Sequence, residues 1–215
     1  MSCNEQNLDD NDHRAIADRM DLFHFQPEAP GMVFWHSRGW RIFRHLEEAA
    51  RRHVDRGGYE EIRSPQLMRR PIWEKSGHWE HFAEAMFRLE EAPGRPSAVK
   101  PVSCPGHIQV LNKRLQSYRD LPVRLAEFGL VHRNERSGSL RGLFRLRQFV
   151  QDDGHIFCRP EDAVAEVAHF CRGMADFYAA FEIEADGVAL SLRPDGRLDD
   201  EARWDRAESI LRQGA

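Results

Sequence analysis

From Arg145 to Phe157 the chain reads RLRQFVQDDGHIF, and its apolar and polar positions alternate with the two-residue period of a strand, not the 3.6-residue period of a helix. Extended, this run places Arg145, Arg147, Phe149, Gln151, Asp153, His155 and Phe157 on one face, and Leu146, Val150 and Ile156 on the other. The apolar side suits a core. The opposite side lines up cations, an aromatic ring, an amide, a carboxylate and an imidazole, which admits two readings. One is the solvated face of an antiparallel sheet. The other is a pocket floor, with arginines for phosphate, Phe149 to stack a flat ring, Gln151 and Asp153 for a polar or cationic group, and His155 for a metal.

Elsewhere the pattern alternates between helix and strand. HRAIADRMDLFHF, from His13, predicts a helix leading into an extended segment, with turns at Pro27, Pro30 and Gly31. A helix over Gly39 to Arg56 places Trp40, Phe43, Leu46, Ala50 and Val54 on one stripe and ends at Gly57 and Gly58. Tyr59 to Arg63 predicts a strand closing at Ser64 and Pro65. Such a helix-strand-proline unit can pack on its own sheet or on a copy of itself. PIWEKSGHWEHF predicts a helix and loop capping the core, and Glu90 to Ser97 an exposed loop. Val99 to His107 reads as a strand running into a turn, followed by a helix starting near Pro105. Leu121 to His132 is a second strand, joined to the Arg145 run as a long hairpin around Ser137 to Gly142. Glu161 to Phe181 predicts a helix burying Val164, Val167, Cys171, Met174, Tyr178 and Phe181. A last strand near Val188 to Leu192 and a helix around Trp204 complete the chain. The order is that of an α+β fold, mostly antiparallel strands with helices on one side, without internal repeats.

Composition narrows the class. At 215 residues, 41% hydrophobic and 31% charged, the chain can build one substantial core and matches neither a disordered nor a membrane protein. The formal charge of −4 gives no global basic field for nucleic acid, but arginines crowd the stretch from Arg114 to Arg159, where local phosphate contacts are expected. No apolar run approaches the length of a membrane span, and the start MSCNEQNLDD is unlike a secretory signal, so a cytoplasmic protein without a membrane partner is expected. Cys3, Cys104, Cys158 and Cys171 form no CxxC pair, and reduced thiols are expected. Cys158 and Cys171 read as core residues. Cys104 sits at a strand end ahead of a helix N-terminus, where a thiolate is favoured. On spacing alone, Cys104 and His155 suit a structural cysteine and a core histidine at least as well as a zinc pair. A nucleophilic dyad of Cys104 and His107 is a further reading, without an acyl-transfer framework around it.

Several segments together resemble a known family: DHRAIADRMDLFHFQPEAPGMVFWHSRGWRIFRHLE, WEKSGHWEHFAEAMF, KPVSCPGHIQVLN, SYRDLPVRLAEFGLVHRNERSGSL, FVQDDGHIF and RPDGRLDDEARWDRAE. They resemble the catalytic core of class II aminoacyl-tRNA synthetases and, within that class, the threonyl enzymes, from about Asp12 to Glu208. The resemblance implies that the helix and strand ending at Pro65 are motif 1, a homodimer interface. It implies that motif 2 lies between Arg133 and His155, with Arg133 on the α-phosphate of ATP as the catalytic cation. Glu135 would lie near the adenine amino group, Arg145 around the phosphates and Phe149 against adenine. Val102, Gln151 and Asp153 would face the amino acid, and Cys104 and His155 would be two of three protein ligands to Zn2+. ATP with Mg2+ and threonine would be the substrates, with tRNA as acceptor. These roles fit the chemistry: a carboxylate attacking a phosphate needs cations to offset repulsion, and a metal with an open position can demand the threonine hydroxyl that valine lacks.

The sequence also departs from the family. Gln148 stands where the family has glycine beside the stacking phenylalanine, and Val102 replaces a methionine at the amino-acid pocket. Ala215 follows soon after WDRAE, so motif 3, the third zinc ligand (a histidine), the editing domain and the anticodon-binding domain are expected to lie outside this sequence. The expected organisation is a flexible stretch to residue 12 and a partial class II catalytic domain over 13–215. Three functions are open on this basis. The first is threonine activation for transfer to tRNA, with a complementary synthetase chain. The second is a non-catalytic, dimerising module that binds ATP or a synthetase. The third is a ligase for another amino acid and a non-tRNA carrier, with His107, His132 or water completing the zinc shell.

Overall fold

The computed structural model describes residues 9–114, 117–195 and 200–215. Most of the stretch expected to be flexible, and Cys3, lie outside them. Asp12 caps α1 (His13–Met20), its carboxylate accepting from the Arg14 N–H, and Asp21 at φ 55° closes the helix. The short β1 (Phe23–His24) and β2 (Phe34–Trp35) pair antiparallel, Phe23 opposite Trp35. Then comes α2 (Ser37–Arg56), two residues longer at its start than its pattern predicts. Its apolar stripe is buried at Ala50 and Val54, whereas Trp40 and Leu46 are 45% and 49% exposed. The stripe marks a face that favours cover; the described residues supply that cover only toward the C-terminal end of the helix.

The expected strand at Tyr59 to Arg63 is confined to β3 (Glu60–Glu61), although Ile62 still donates its N–H to the Ala126 carbonyl at 2.8 Å. Next come β4 (Leu67–Arg69), α3 (Arg70–Lys75), α4 (His78–His81), β5 (Arg88–Glu90) and β6 (Pro96–Val99). The strands make an antiparallel sheet ordered β4-β6-β5, with Met68 opposite Ala98 and Arg88 opposite Ala98 on the other side. The expected loop from Glu90 to Ser97 is the turn between β5 and β6: residues 91–95 are irregular, with Glu91, Pro93, Gly94 and Arg95 exposed, and only its ends enter the two strands. Leu89 pairs with Ser97, which is fully buried and donates its hydroxyl to Glu91 at 2.6 Å. The proline and glycine signals describe only the turn, and strands this short leave no readable period. Trp73, Met86 and Ala98 form a core cluster against which Met68, Ile72, Trp79 and Val102 pack. The Trp73 indole N–H, buried with the ring, donates to the Met68 carbonyl at 3.0 Å.

The remaining elements are α5 (Cys104–Arg114), β7 (Val123–His132), β8 (Gln148–Phe157), α6 (Ala163–Ala179) and α7 (Glu201–Gly214), and β3, β7 and β8 form a sheet in the order β3-β7-β8. The chain divides into two compact units. The first holds residues up to Ala49, Glu61–Lys113 and Ala126–Asp153; the second holds Ala50–Glu60, Arg114–Leu125 and Gly154–Ala215.

Within the second unit, Arg124 grips Glu166 of α6 through two hydrogen bonds of 2.7 and 2.6 Å, a bidentate pair that fixes the helix in rotation. Arg193 gathers Glu201, Asp205 and Glu208 of α7. Three expectations do not hold. The buried side of α6 is shallower than its pattern: Val164, Val167, Cys171 and Met174 are half-buried, Tyr178 and Phe181 are exposed, and the one buried residue is Glu166, because its charge is paired. No strand forms at Val188 to Leu192; Val188 is 79% exposed, and the run pairs with none of the described strands, without which a β-prone segment makes no ladder. Cys158 is half-buried like Cys171, so neither is a full core residue.

Candidate active site

β8 begins at Gln148, three residues later than the alternation predicts. A single helical turn at Gly142–Phe144 and an isolated bridge between Arg141 and Arg145 hold the preceding loop, so Arg145 and Leu146 precede the ladder. Arg147 is also not free to meet phosphate. Its Nε donates to the Glu135 carbonyl at 2.8 Å and its Nη2 to the Ser137 hydroxyl at 3.2 Å, while its backbone N–H donates to the Gly31 carbonyl at 2.7 Å. This arginine shapes the loop. At the loop tip, Gly142 adopts φ 49°, a left-handed conformation that favours glycine. His13 reaches over from α1: its Nε2 accepts the Leu143 N–H at 2.9 Å, and its ring meets Phe144 edge-on at 5.0 Å.

Along β8, Phe149, Gln151, Asp153 and His155 are half-buried while Asp152 and Gly154 are exposed, so the face carrying the mixed chemistry is the better covered one at the centre of the strand. Arg133, just past the end of β7, places its guanidinium carbon 5.2 Å from the centroid of the Phe149 ring. Its Nε donates to the Pro101 carbonyl at 3.1 Å, and its backbone N–H donates to the Arg147 carbonyl. Glu135 holds Arg145 through Nε and Nη2, at 3.0 and 2.9 Å. Gln151 has a buried side-chain oxygen without a hydrogen-bond partner, and so has His132 at Nδ1. Such atoms mark places where a polar group belongs.

Cys104 opens α5. Burial pushes its thiol pKa up, the Asp153 carboxylate adds to that, and Arg133 opposes it more weakly. The expected thiolate is thus reversed: desolvation outweighs the helix N-terminus. The Cys104 thiol thus feels the charges of two other anticipated site residues, Asp153 and Arg133. Val102 leans on the Trp73 cluster. Gln148, the departure beside Phe149, is half-buried as the first residue of β8. The His155 ring stacks on Phe157 at 6.3 Å. Among the described residues, no group of three or more His, Cys, Asp or Glu is placed to hold a metal ion. His107 is fully buried, with Nε2 at 3.2 Å from the Glu127 carboxylate.

Sequence patterning missed the ionic network behind this turn. Lys100, Glu127 and His107 are fully buried and Ser64 nearly so. The available signal was a charge inside each of two apolar strand sequences, SAVKPV and LAEFGLV. Opposite charges in neighbouring buried strands are the pattern of a pair.

Comparison with known proteins gives these residues a family. The profile of the tRNA synthetase class II core domain (G, H, P, S and T) matches residues 87–204. The chain is 50% identical over 201 residues to the threonine–tRNA ligase of Polynucleobacter necessarius, covering 94% of this chain and 31% of that protein. Two solved structures share its fold. One is the RNA binding domain of threonyl-tRNA synthetase from Cryptosporidium parvum, with a TM-score of 0.84 and 35% identity over 94% of this chain and 50% of that one. The other is a protein from Aeropyrum pernix described as a threonyl-tRNA synthetase, with a TM-score of 0.75 and 28% identity over 93% of this chain and 44% of that one. The chain thus spans half or less of these relatives. On fold, sequence and the matched core, it belongs to the class II tRNA synthetase core family and is similar to its threonyl members.

Proposed function

We propose that the face of Arg133, Phe149, Gln151 and Asp153 binds ATP and threonine and forms threonyl-adenylate, in company with further synthetase-core residues supplied from outside this stretch or by a complementary chain. The observation that carries this reading is the Arg133 guanidinium beside the Phe149 ring. A purine can stack on Phe149 while the arginine meets the α-phosphate next to it. In the proposed step, a threonine carboxylate oxygen bonds to the α-phosphorus and the bond to the bridging oxygen breaks. Pyrophosphate leaves with Mg2+. Arg133 offsets the charge that builds at phosphorus, Arg145 steadies the phosphates from its seat on Glu135, Glu135 faces the adenine amino group, and Asp153 takes the ammonium. Val102 and Gln151 line the amino-acid side.

Cys104 and His155 remain the candidate zinc ligands, and no group of three or more His, Cys, Asp or Glu is placed to hold a metal ion among the described residues. The described residues do not make a three-ligand site. Self-association through α2 is supported by the exposure of Trp40, Ile42 and Leu46 on that helix.

Amino-acid-dependent exchange of pyrophosphate into ATP tests the proposal, with the chain alone and mixed with a polypeptide carrying the rest of a threonyl synthetase core. Threonine-dependent exchange in either arm supports it. Exchange with a different amino acid only points to a ligase for another carrier, and none in either arm to a non-catalytic module; both results contradict threonine activation.

A further inference from the structure

Behind the turn that carries Cys104, four side chains without a part in the proposed chemistry share one buried network. Glu127, in the middle of β7, accepts from Lys100 Nζ at 2.7 Å through Oε1 and from the Ser64 hydroxyl at 2.7 Å through Oε2. The Ser64 N–H adds a bond of 3.1 Å to Oε1, and His107 Nε2 lies 3.2 Å from Oε2. Lys100 Nζ also donates to the Ser64 hydroxyl at 2.9 Å. Lys100, Glu127 and His107 are 0% exposed, and Ser64 is 4% exposed.

Charges removed from water this completely persist only when each polar atom has a partner in good geometry, which makes such a network stiff. This one anchors both ends of a single turn. Lys100 precedes Pro101, and His107 lies in the first turn of α5. Between them lie Pro101, whose carbonyl accepts Arg133 Nε at 3.1 Å, and Val102 and Cys104. The Lys100 carbonyl accepts the His132 N–H at 3.0 Å, tying the turn to the end of β7. Gly106 closes the assembly: a Cβ there would lie 2.6 Å from the Ser64 Cβ, so α5 sits directly on Ser64.

We infer that Glu127 is a positioning residue of the candidate site: through Lys100, Ser64 and His107 it fixes the turn from Pro101 to Gly106, and with it the Cys104 thiol and the carbonyl that aims Arg133. The inference rests on the proposed function for the importance of Cys104 and Arg133, yet the network can be read without any catalysis.

The test is alkylation of the full chain by iodoacetamide in the presence of a chelator, followed peptide by peptide so that Cys104 is read beside Cys158 and Cys171 of the same molecules. Three variants are compared with the parent chain: Glu127→Gln, the charge-free pair Lys100→Met with Glu127→Gln, and the milder Ser64→Ala. Loosening of the turn is expected to raise the Cys104 rate about tenfold in the first two and about threefold in Ser64→Ala, with Cys158 and Cys171 changing less than about twofold. Parallel changes at all three cysteines would show a global effect and overturn the inference, as would an unchanged Cys104 in the folded charge-free pair. Should the Glu127 variants fail to fold, Ser64→Ala decides alone, and an unaltered Cys104 rate there contradicts the positioning role. Loss of ATP binding in the parent chain would sink the proposed function and leave the thiol result standing.

Discussion

The Arg133 guanidinium lies 5.2 Å from the centroid of the Phe149 ring while its Nε is held by the Pro101 carbonyl. An arginine fixed at one nitrogen keeps its outer edge available for an anion, and the ring beside it offers a stacking plate. Replacing Arg133 by Ala removes a charge-assisted contact worth about 1.5–3 kcal/mol, so the ATP dissociation constant should rise roughly 10- to 100-fold by calorimetry. Phe149→Ala should weaken ATP by a similar amount, since base stacking is worth about 1–3 kcal/mol. Unchanged affinity in Arg133→Ala would contradict the phosphate role.

Acid should loosen the protein through Glu127. Burial alone would raise its pKa, but hydrogen bonds from His107, Lys100 and Ser64 more than reverse that and hold it at about 2, below its ordinary 4.5. A depressed folded pKa stabilises the native state above the unfolded value and loses that contribution as pH falls from about 4.5 toward 2. The amount is on the order of 3 kcal/mol. Asp12 and Glu208, both half-buried and both held low by arginines, titrate in the same direction. Chemical denaturation of parent and Glu127→Gln chains between pH 7 and 3 separates the parts. The variant should be less stable at pH 7 and show a flatter decline in acid; parallel curves would refute the assignment.

Trp73 should be the costliest single truncation in the β4-β6-β5 unit. It is fully buried, packed against Met86 and Ala98 with its N–H satisfied. Trp73→Ala is expected to cost about 3–5 kcal/mol and lower Tm by about 10 °C in a scanning experiment. A shift below about 2 °C would place the core elsewhere.

His13 should control the loop between Arg141 and Arg145. The ring accepts the Leu143 N–H at Nε2 and braces Phe144, itself 78% exposed. His13→Ala removes both contacts, and trypsin cleavage after Arg141 and Arg145 should accelerate about tenfold while cleavage elsewhere is unaffected. Equal cleavage rates would mean that the loop holds itself.

Much of this site was legible because it depends on local period. The alternation through Phe149, Gln151 and Asp153 predicts β8 and its covered face, and Cys104 stands at the start of α5 as its strand-turn-helix sequence requires. What escaped depends on contacts distant in sequence. Glu127 meets Lys100 across 27 residues and Ser64 across 63, and no local period reports such a partner. The run at Val188 to Leu192 shows the converse: strand propensity is real there, but a strand exists only where a neighbour supplies the ladder. The Cys104 thiol failed for a related reason, since helix position is local while the desolvation that overrides it comes from the fold.

The most direct measurement is calorimetric titration of the purified chain with a non-hydrolysable threonyl-adenylate analogue, a sulfamoyl-linked threonine and adenosine. It occupies the nucleotide and amino-acid sides together and needs no turnover. The chain should bind it more tightly than ATP or threonine alone and more tightly than the valyl analogue, with affinity falling about tenfold or more in Arg133→Ala and Asp153→Ala. Absence of binding, or binding that ignores both substitutions, would contradict the assignment of this face to amino-acid activation.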